Sequence, residues 1–229
     1  MLRALAFDFN GVLVNDEPVH LACFQRVLAE ERIALGTEEY YERYLGFDDR
    51  GAFEAIYRDR GRPIAPELRA RLIARKSLYY LEAVQRDGFP FFAGAVELVR
   101  EAAAELPLVI VSGALRSEIA GALRQEGLAP LVRKVIAAED VASGKPDPEG
   151  YRLAIAALNS EPPLPSRLIH PHEVLAIEDS PAGVASAAEA GLRTLAVGHS
   201  YPLAELAAAE ARVDSIRGVR IAGLRELFP

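Results

Sequence analysis

"AIEDSPAGVASAAEAG", residues 176–191, decides how this chain is read. The apolar run at 174–177 is too short for a helix, and it stops on two acids, Glu178 and Asp179. Ser180 then stands where a helix wants its N-cap, Pro181 at the first helical position, and Gly191 just past the end. A buried strand running straight into a helix, with carboxylates at the joint, is the signature of a parallel sheet covered by helices.

Working outward, the same pattern recurs. Short apolar runs at 3–7, 108–111, 135–137 and 192–197 alternate with helical periodicity at 93–106, 116–127 and 180–191. Continuous apolar strands of this kind predict an α/β fold, a doubly wound parallel sheet with helices on both faces. Between the first two strands the style changes. Residues 17–90 hold no strand pattern and read as amphipathic helices at 18–32, 38–45, 50–60 and 66–87. The expected organisation is a sheet-bearing core from 1–15 and 93–229, with a helical insert over 16–92. "DGFPFFAG" (87–94) reads as a hinge back to the sheet.

In such a core, ligands bind at the carboxyl ends of the strands. Asp8 stands at the end of the first strand, Ser112 at that of the second, Lys145 in the loop after the third, and Glu178–Asp179 at the end of the fourth. Several acids on one edge repel unless a cation sits among them. Carboxylates without His or Cys make a hard-oxygen set, which suits Mg²⁺ better than Zn²⁺. Ser112 and Lys145 are then left to hold an anion, for which a phosphoryl group is the natural occupant. An aspartate in line with phosphorus can attack it and form an aspartyl-phosphate. Taken singly, Asp8, Ser112 and Lys145 would pass as a turn former, a helix-start residue and a solvated charge. Their joint placement at strand ends overturns that.

"FDFNGVL" (7–13), "VIVSGA" (109–114), "GKPDP" (144–148) and the 176–191 stretch resemble, in order and over nearly the whole chain, the four motifs of the haloacid-dehalogenase-like superfamily. The insert resembles the helical cap of its β-phosphoglucomutase and phosphoglycolate phosphatase branch. The resemblance implies a Rossmann-like core and a Mg²⁺-dependent phosphohydrolase of small phosphorylated metabolites, with the cap closing over the substrate. It implies Asp8 as nucleophile and Lys145 as a catalytic and phosphate-binding group. Ser112 and Gly113 would also bind phosphate. Metal ligands would be Asp8, the carbonyl of Asn10, Asp179 and Glu178. Cap residues His20 and Arg50 fall where such proteins place substrate contacts.

Asn10 departs from the pattern. The family's phosphatases and mutases carry a second Asp there, which protonates the leaving oxygen and then activates the attacking water or hydroxyl. An amide can do neither near neutral pH. Three explanations stand open: a natural variant using another acid (Asp16 or His20), an introduced substitution that traps a complex, or a protein that binds phosphorylated ligands without turning them over. A sugar-phosphate mutase is the alternative within the enzyme class. Phosphonatases use a cap lysine, and Lys76 is the only lysine of the insert.

Bulk properties agree with this reading. The chain has 229 residues, 51% apolar, and a net charge of −7, which argues against a general nucleic-acid binder. One cysteine, Cys23, and no signal-peptide pattern predict the cytoplasm. No apolar run approaches the ~20 residues that span a bilayer. "HPH" (170–172) reads as a loop before the fourth strand rather than a metal pair.

Overall fold

The computed structural model describes residues 1–229. The chain divides into two compact units, one made of Met1–Asn15 with Phe89–Pro229 and the other of Asp16–Gly88.

The first unit is a six-stranded, wholly parallel sheet in the order β3-β2-β1-β4-β5-β6. Its strands are β1 (Ala4–Phe7), β2 (Leu108–Val111), β3 (Val132–Ile136), β4 (Val174–Glu178), β5 (Arg193–Val197) and β6 (Ala211–Val213). Two of these differ from the sequence expectation. The third strand starts at Val132 rather than 135, because it lies at the sheet edge, where half-exposed Arg133 and Lys134 are tolerated. β6 has no counterpart among the expected strands. It is three residues long on the opposite edge and carries an exposed Arg212, so it leaves no apolar run to detect.

The four inner strands are buried on both faces, and alternate residues feed two separate cores. Leu5, Phe7, Leu108, Ile110, Leu175 and Ile177 face one side, against α5 (Ala95–Ala103), α6 (Arg116–Gln125) and α9 (Ile221–Leu227). Ala4, Ala6, Val109, Val111, Val174 and Ala176 face the other, against α7 (Glu149–Ser160) and α8 (Pro181–Glu189). Helices on both faces make the sheet doubly wound. The alanines on the second face admit Tyr151 and the small-residue helix α8 at close range.

Register sets the functional edge. Phe7 pairs with Ile110 on one side and Ile177 on the other. Asp8 and Glu178 therefore come level at the carboxyl end, with Ser112 just beyond its own strand. Asp8 N–H still donates to the Ile177 carbonyl at 3.0 Å, and Ser112 N–H to that of Ile136 at 3.0 Å. The chain re-enters this unit at Phe89, ahead of residue 93, because Phe91 bridges Val14 and the Phe92 N–H donates to the Leu13 carbonyl.

The second unit holds α1 (Glu17–Glu30), α2 (Thr37–Arg43), α3 (Asp49–Asp59) and α4 (Pro66–Asp87). Phe24, Val27, Leu28, Tyr40, Tyr44, Phe53, Ile56, Tyr57 and Leu72 form its core. In the sequence-adjacent pairs Tyr40–Tyr41 and Tyr79–Tyr80, Tyr40 and Tyr80 are buried and their neighbours are more exposed. Cys23 is buried. No helix is long and apolar enough to cross a membrane.

Candidate active site

The loop after β1 is fixed by its own backbone. Leu13 and Val14 N–H groups donate to the Phe9 carbonyl, and the Gly11 N–H donates to that of Val14 at 2.9 Å. Gly11 has φ +75°, and a Cβ built there would lie 1.8 Å from Oδ2 of Asp179. Only glycine allows both the left-handed turn and that approach. Ser112 is held in the β2–α6 turn, where its Oγ accepts from the Ala114 N–H at 3.1 Å and donates to Oδ1 of Asn10 at 3.3 Å.

The loop carrying Lys145 is anchored from below. Glu149 Oε2 accepts the Ala142 and Ser143 N–H groups, and Ser186 Oγ donates to the Asp147 carbonyl at 2.7 Å. This delivers Lys145 Nζ to 2.8 Å from Asp8 Oδ1 and 2.7 Å from Glu178 Oε1. Four of the residues singled out at the strand ends thus meet, with Lys145 bridging Asp8 and Glu178 and Asp179 grouped beside them, while the buried Ser112 reaches the loop after β1 through Asn10. Gly113 follows Ser112 in the same turn, with no atom within 4 Å of where a Cβ would stand.

Three carboxylates with one ammonium leave this pocket with an excess of negative charge. Burial pushes Glu178 up to about 7, with Asp8 adding to the rise and Lys145 opposing it. Asp179 is pushed well above the usual carboxylate range by burial, Asp8 and Glu178, against a hydrogen bond from Ser200. Burial works against the charge on Lys145, yet the two carboxylates outweigh it and hold the ammonium protonated. Oxygens of Asp8, Glu178 and Asp179 lie within 4.8 Å of one another. Glu178 Oε2 is buried with no hydrogen-bond partner. An orphaned buried carboxylate oxygen in an all-oxygen, over-acidic pocket fits a hard divalent cation.

Sequence reasoning missed Tyr151, whose hydroxyl donates to Glu178 Oε1 from the buried face of α7. It also missed His199 and Ser200. The strand-end rule that found the other residues would have found these two after β5, had it been carried to that strand. At "HPH", His170 and His172 stack at 5.6 Å beside a short turn that leads into β4.

In the helical unit, His20 is neither a free surface side chain nor a plain packing residue. Lys76 Nζ donates to its Nδ1 at 2.6 Å, its Nε2 lies 3.3 Å from Asp16 Oδ2, and its ring stacks on Tyr80. Asp16 is buried and accepts from the Tyr80 hydroxyl at 2.6 Å. Lys76 is buried and ion-paired with Asp49 at 2.6 Å. Arg50 stands outside this cluster, largely exposed and 3.4 Å from Glu54.

Residues 2–191 match the family described as haloacid dehalogenase-like hydrolase. The chain belongs to that family. Among its relatives is the validoxylamine A 7'-phosphate phosphatase of Streptomyces hygroscopicus subsp. limoneus, 30% identical over 96% of this chain and 97% of that protein. The phosphorylated carbohydrates phosphatase of Thermotoga maritima is 28% identical over 87% of each. CbbY from Rhodobacter sphaeroides, solved in complex with phosphate, superposes with a TM-score of 0.84 at 25% identity, covering 98% of this chain and 100% of that one. An aspartate-to-asparagine variant of the same CbbY, solved with xylulose-(1,5)bisphosphate, gives 0.84 at 25% identity over 98% and 99%. The chain is therefore a haloacid dehalogenase-like hydrolase with phosphatase relatives, and its acidic cluster lies at the strand ends of the shared fold.

Proposed function

We propose that this chain carries the site of a Mg²⁺-dependent phosphomonoesterase for small phosphorylated carbohydrates, slowed by the amide at residue 10. The observation that supports it is the meeting of Asp8, Ser112, Lys145, Glu178 and Asp179 at one edge of the sheet. Asp8 is the nucleophile: its carboxylate oxygen forms the bond to phosphorus as the sugar oxygen leaves. Lys145, already 2.8 Å from Asp8, screens the attacking carboxylate and binds phosphoryl oxygens. Ser112 Oγ turns from Asn10 to donate to another of them. Asp8, Asp179, Glu178 and the Asn10 carbonyl would hold the metal, which supplies charge neutralisation between nucleophile and phosphoryl group.

Asn10 cannot deliver a proton to the leaving oxygen, nor take one from the attacking water. General acid–base catalysis is worth roughly 10²–10⁴-fold, so its loss slows turnover while leaving the Asn10 backbone carbonyl free to serve the metal. A second reading, a phosphosugar-binding protein without turnover, is favoured by the same amide. The CbbY variant solved with a sugar bisphosphate supports retained ligand binding after an acid-to-amide exchange.

One comparison separates the two. Hydrolysis of p-nitrophenyl phosphate and a panel of sugar phosphates is measured for the chain and its Asn10→Asp form, with Mg²⁺ and with chelator. A metal-dependent gain of about 10²-fold or more supports the slowed enzyme. An Asn10→Asp form that stays inert on the whole panel while still binding sugar phosphates establishes the binding protein instead.

A further inference from the structure

His199 lies two residues beyond β5, in a segment with no part in the chemistry proposed for the acidic cluster. Its Nε2 faces the Ile216 backbone N–H at 3.2 Å and the Ser215 hydroxyl at 3.1 Å. A backbone N–H can only donate, so Nε2 carries no proton and the ring proton sits on Nδ1. That Nδ1–H points at the Gly11 carbonyl, 2.8 Å away. The ring also stacks on Phe92, 3.8 Å between centroids and 17° from parallel. Burial lowers its pKa, which keeps it neutral and so preserves the tautomer.

Gly11 is therefore gripped at both of its peptide groups. Its N–H donates to the Val14 carbonyl, and its C=O accepts from His199. Because a trans peptide is planar, the Asn10 carbonyl must point opposite to the Gly11 N–H. The Val14 carbonyl thus sets the direction of the Asn10 carbonyl directly, and His199, by fixing the Gly11–Val12 peptide, restrains the φ and ψ rotations of Gly11 that would otherwise let it turn. The next residue, Ser200, completes the arrangement: it hydrogen-bonds Asp179, and its Oγ would be 2.7 Å from a Cβ on Gly11. Phe92 extends the grip to the segment by which the chain re-enters this unit, since its N–H donates to the Leu13 carbonyl.

We propose that His199 is a positioning residue that keeps the Asn10 carbonyl aimed at the divalent cation by holding the Gly11–Val12 peptide and so restraining Gly11. This rests on the reading of the acidic cluster as a metal site. Residues that orient metal ligands without touching the ion are typically worth about 10–100-fold in metal affinity.

Two substitutions divide the donor from the rest of the ring. Asn at this position places its amide N–H near the site of Nδ1, whereas Gln reaches only toward Nε2. The experiment measures Mg²⁺ affinity by calorimetry in the presence of inorganic phosphate, with thermal unfolding of each variant, and records the ¹⁵N shifts of the His199 ring in the metal-free chain. The expected result is an Nδ1–H tautomer, near-native affinity for His199→Asn and about tenfold weaker binding for His199→Gln. An Nε2–H tautomer overturns the inference whatever the metal does. Equal affinity in wild type and His199→Gln also overturns it, as does a loss that merely follows the thermal midpoint in both variants. A wild-type chain that binds no Mg²⁺ while showing the Nδ1–H tautomer removes the metal reading itself, and the positioning role with it.

Discussion

Gly183 leaves vacant the space that Glu178 occupies: a Cβ added there would lie 1.9 Å from Oε2 of the glutamate. The first turn of α8 is thereby wrapped against a buried carboxylate that also holds Lys145 and Tyr151. Gly183→Ala must displace Glu178 or shift the helix, at a cost of about 1–3 kcal/mol. Gly113→Ala, with open space around its Cβ, should stay within about 0.5 kcal/mol of wild type. Denaturant unfolding of the pair checks this, and equal stabilities would contradict the close approach.

The pH dependence of the chelated protein carries the sign of Glu178. Its folded pKa, about 7, stands above the ordinary 4.5, so the folded state binds the proton more tightly. The contribution is fully present below about 4.5 and is lost as pH rises through about 7. In chelator, the thermal midpoint should therefore fall across that window, and Glu178→Gln should flatten the fall. Mg²⁺ binds the ionised form and should oppose it. A midpoint that climbs steadily with pH in chelator would reverse the assignment.

Asn10 precedes the glycine that Asp179 and the loop turn require, so the site contains an Asn–Gly pair. In such pairs the glycine nitrogen attacks the side-chain carbonyl, ammonia leaves, and water opens the ring to aspartate or isoaspartate. In the folded chain the Gly11 N–H is committed to Val14, and Oδ1 of Asn10 accepts from Ser112. Conversion should be slower in native protein than in urea-unfolded protein, by peptide mapping of aged samples. Phosphatase activity of native stocks should rise with the fraction carrying aspartate at residue 10. Faster conversion in the native state would mean that the loop is not held as described.

In the helical unit, truncation should be nearly neutral at Arg50 and destabilising at Lys76. Arg50→Ala removes an exposed guanidinium near Glu54 and should change stability by less than about 0.5 kcal/mol. A change in KM in that variant then reports substrate contact alone. Lys76→Ala strips the buried partner of the half-exposed Asp49 and of His20 and should cost about 1–3 kcal/mol. Calorimetric unfolding decides it, and indifference at Lys76 would sink the buried-cluster description.

Much of the core was legible because burial leaves a local trace. Residues 3–7, 108–111 and 174–177 announce inner strands by unbroken apolarity, and the polar residue that ends each run must face the open sheet edge. Asp8, Ser112, Glu178 and Asp179 could therefore be placed at that edge from position alone, whereas Lys145 stands well past its strand, in the loop after β3, and reaches the edge only through the tertiary fold. Edge strands leave a weaker trace, which is why β3 began early and β6 went unseen. What the chain order could not supply was pairing between distant side chains. Nothing near Tyr151 foretells a bond to Glu178, nor anything near His199 a grip on Gly11, 188 positions away. Period and hydropathy act over a few residues, whereas these contacts exist only once strand register and helix packing have brought remote loops to the same edge.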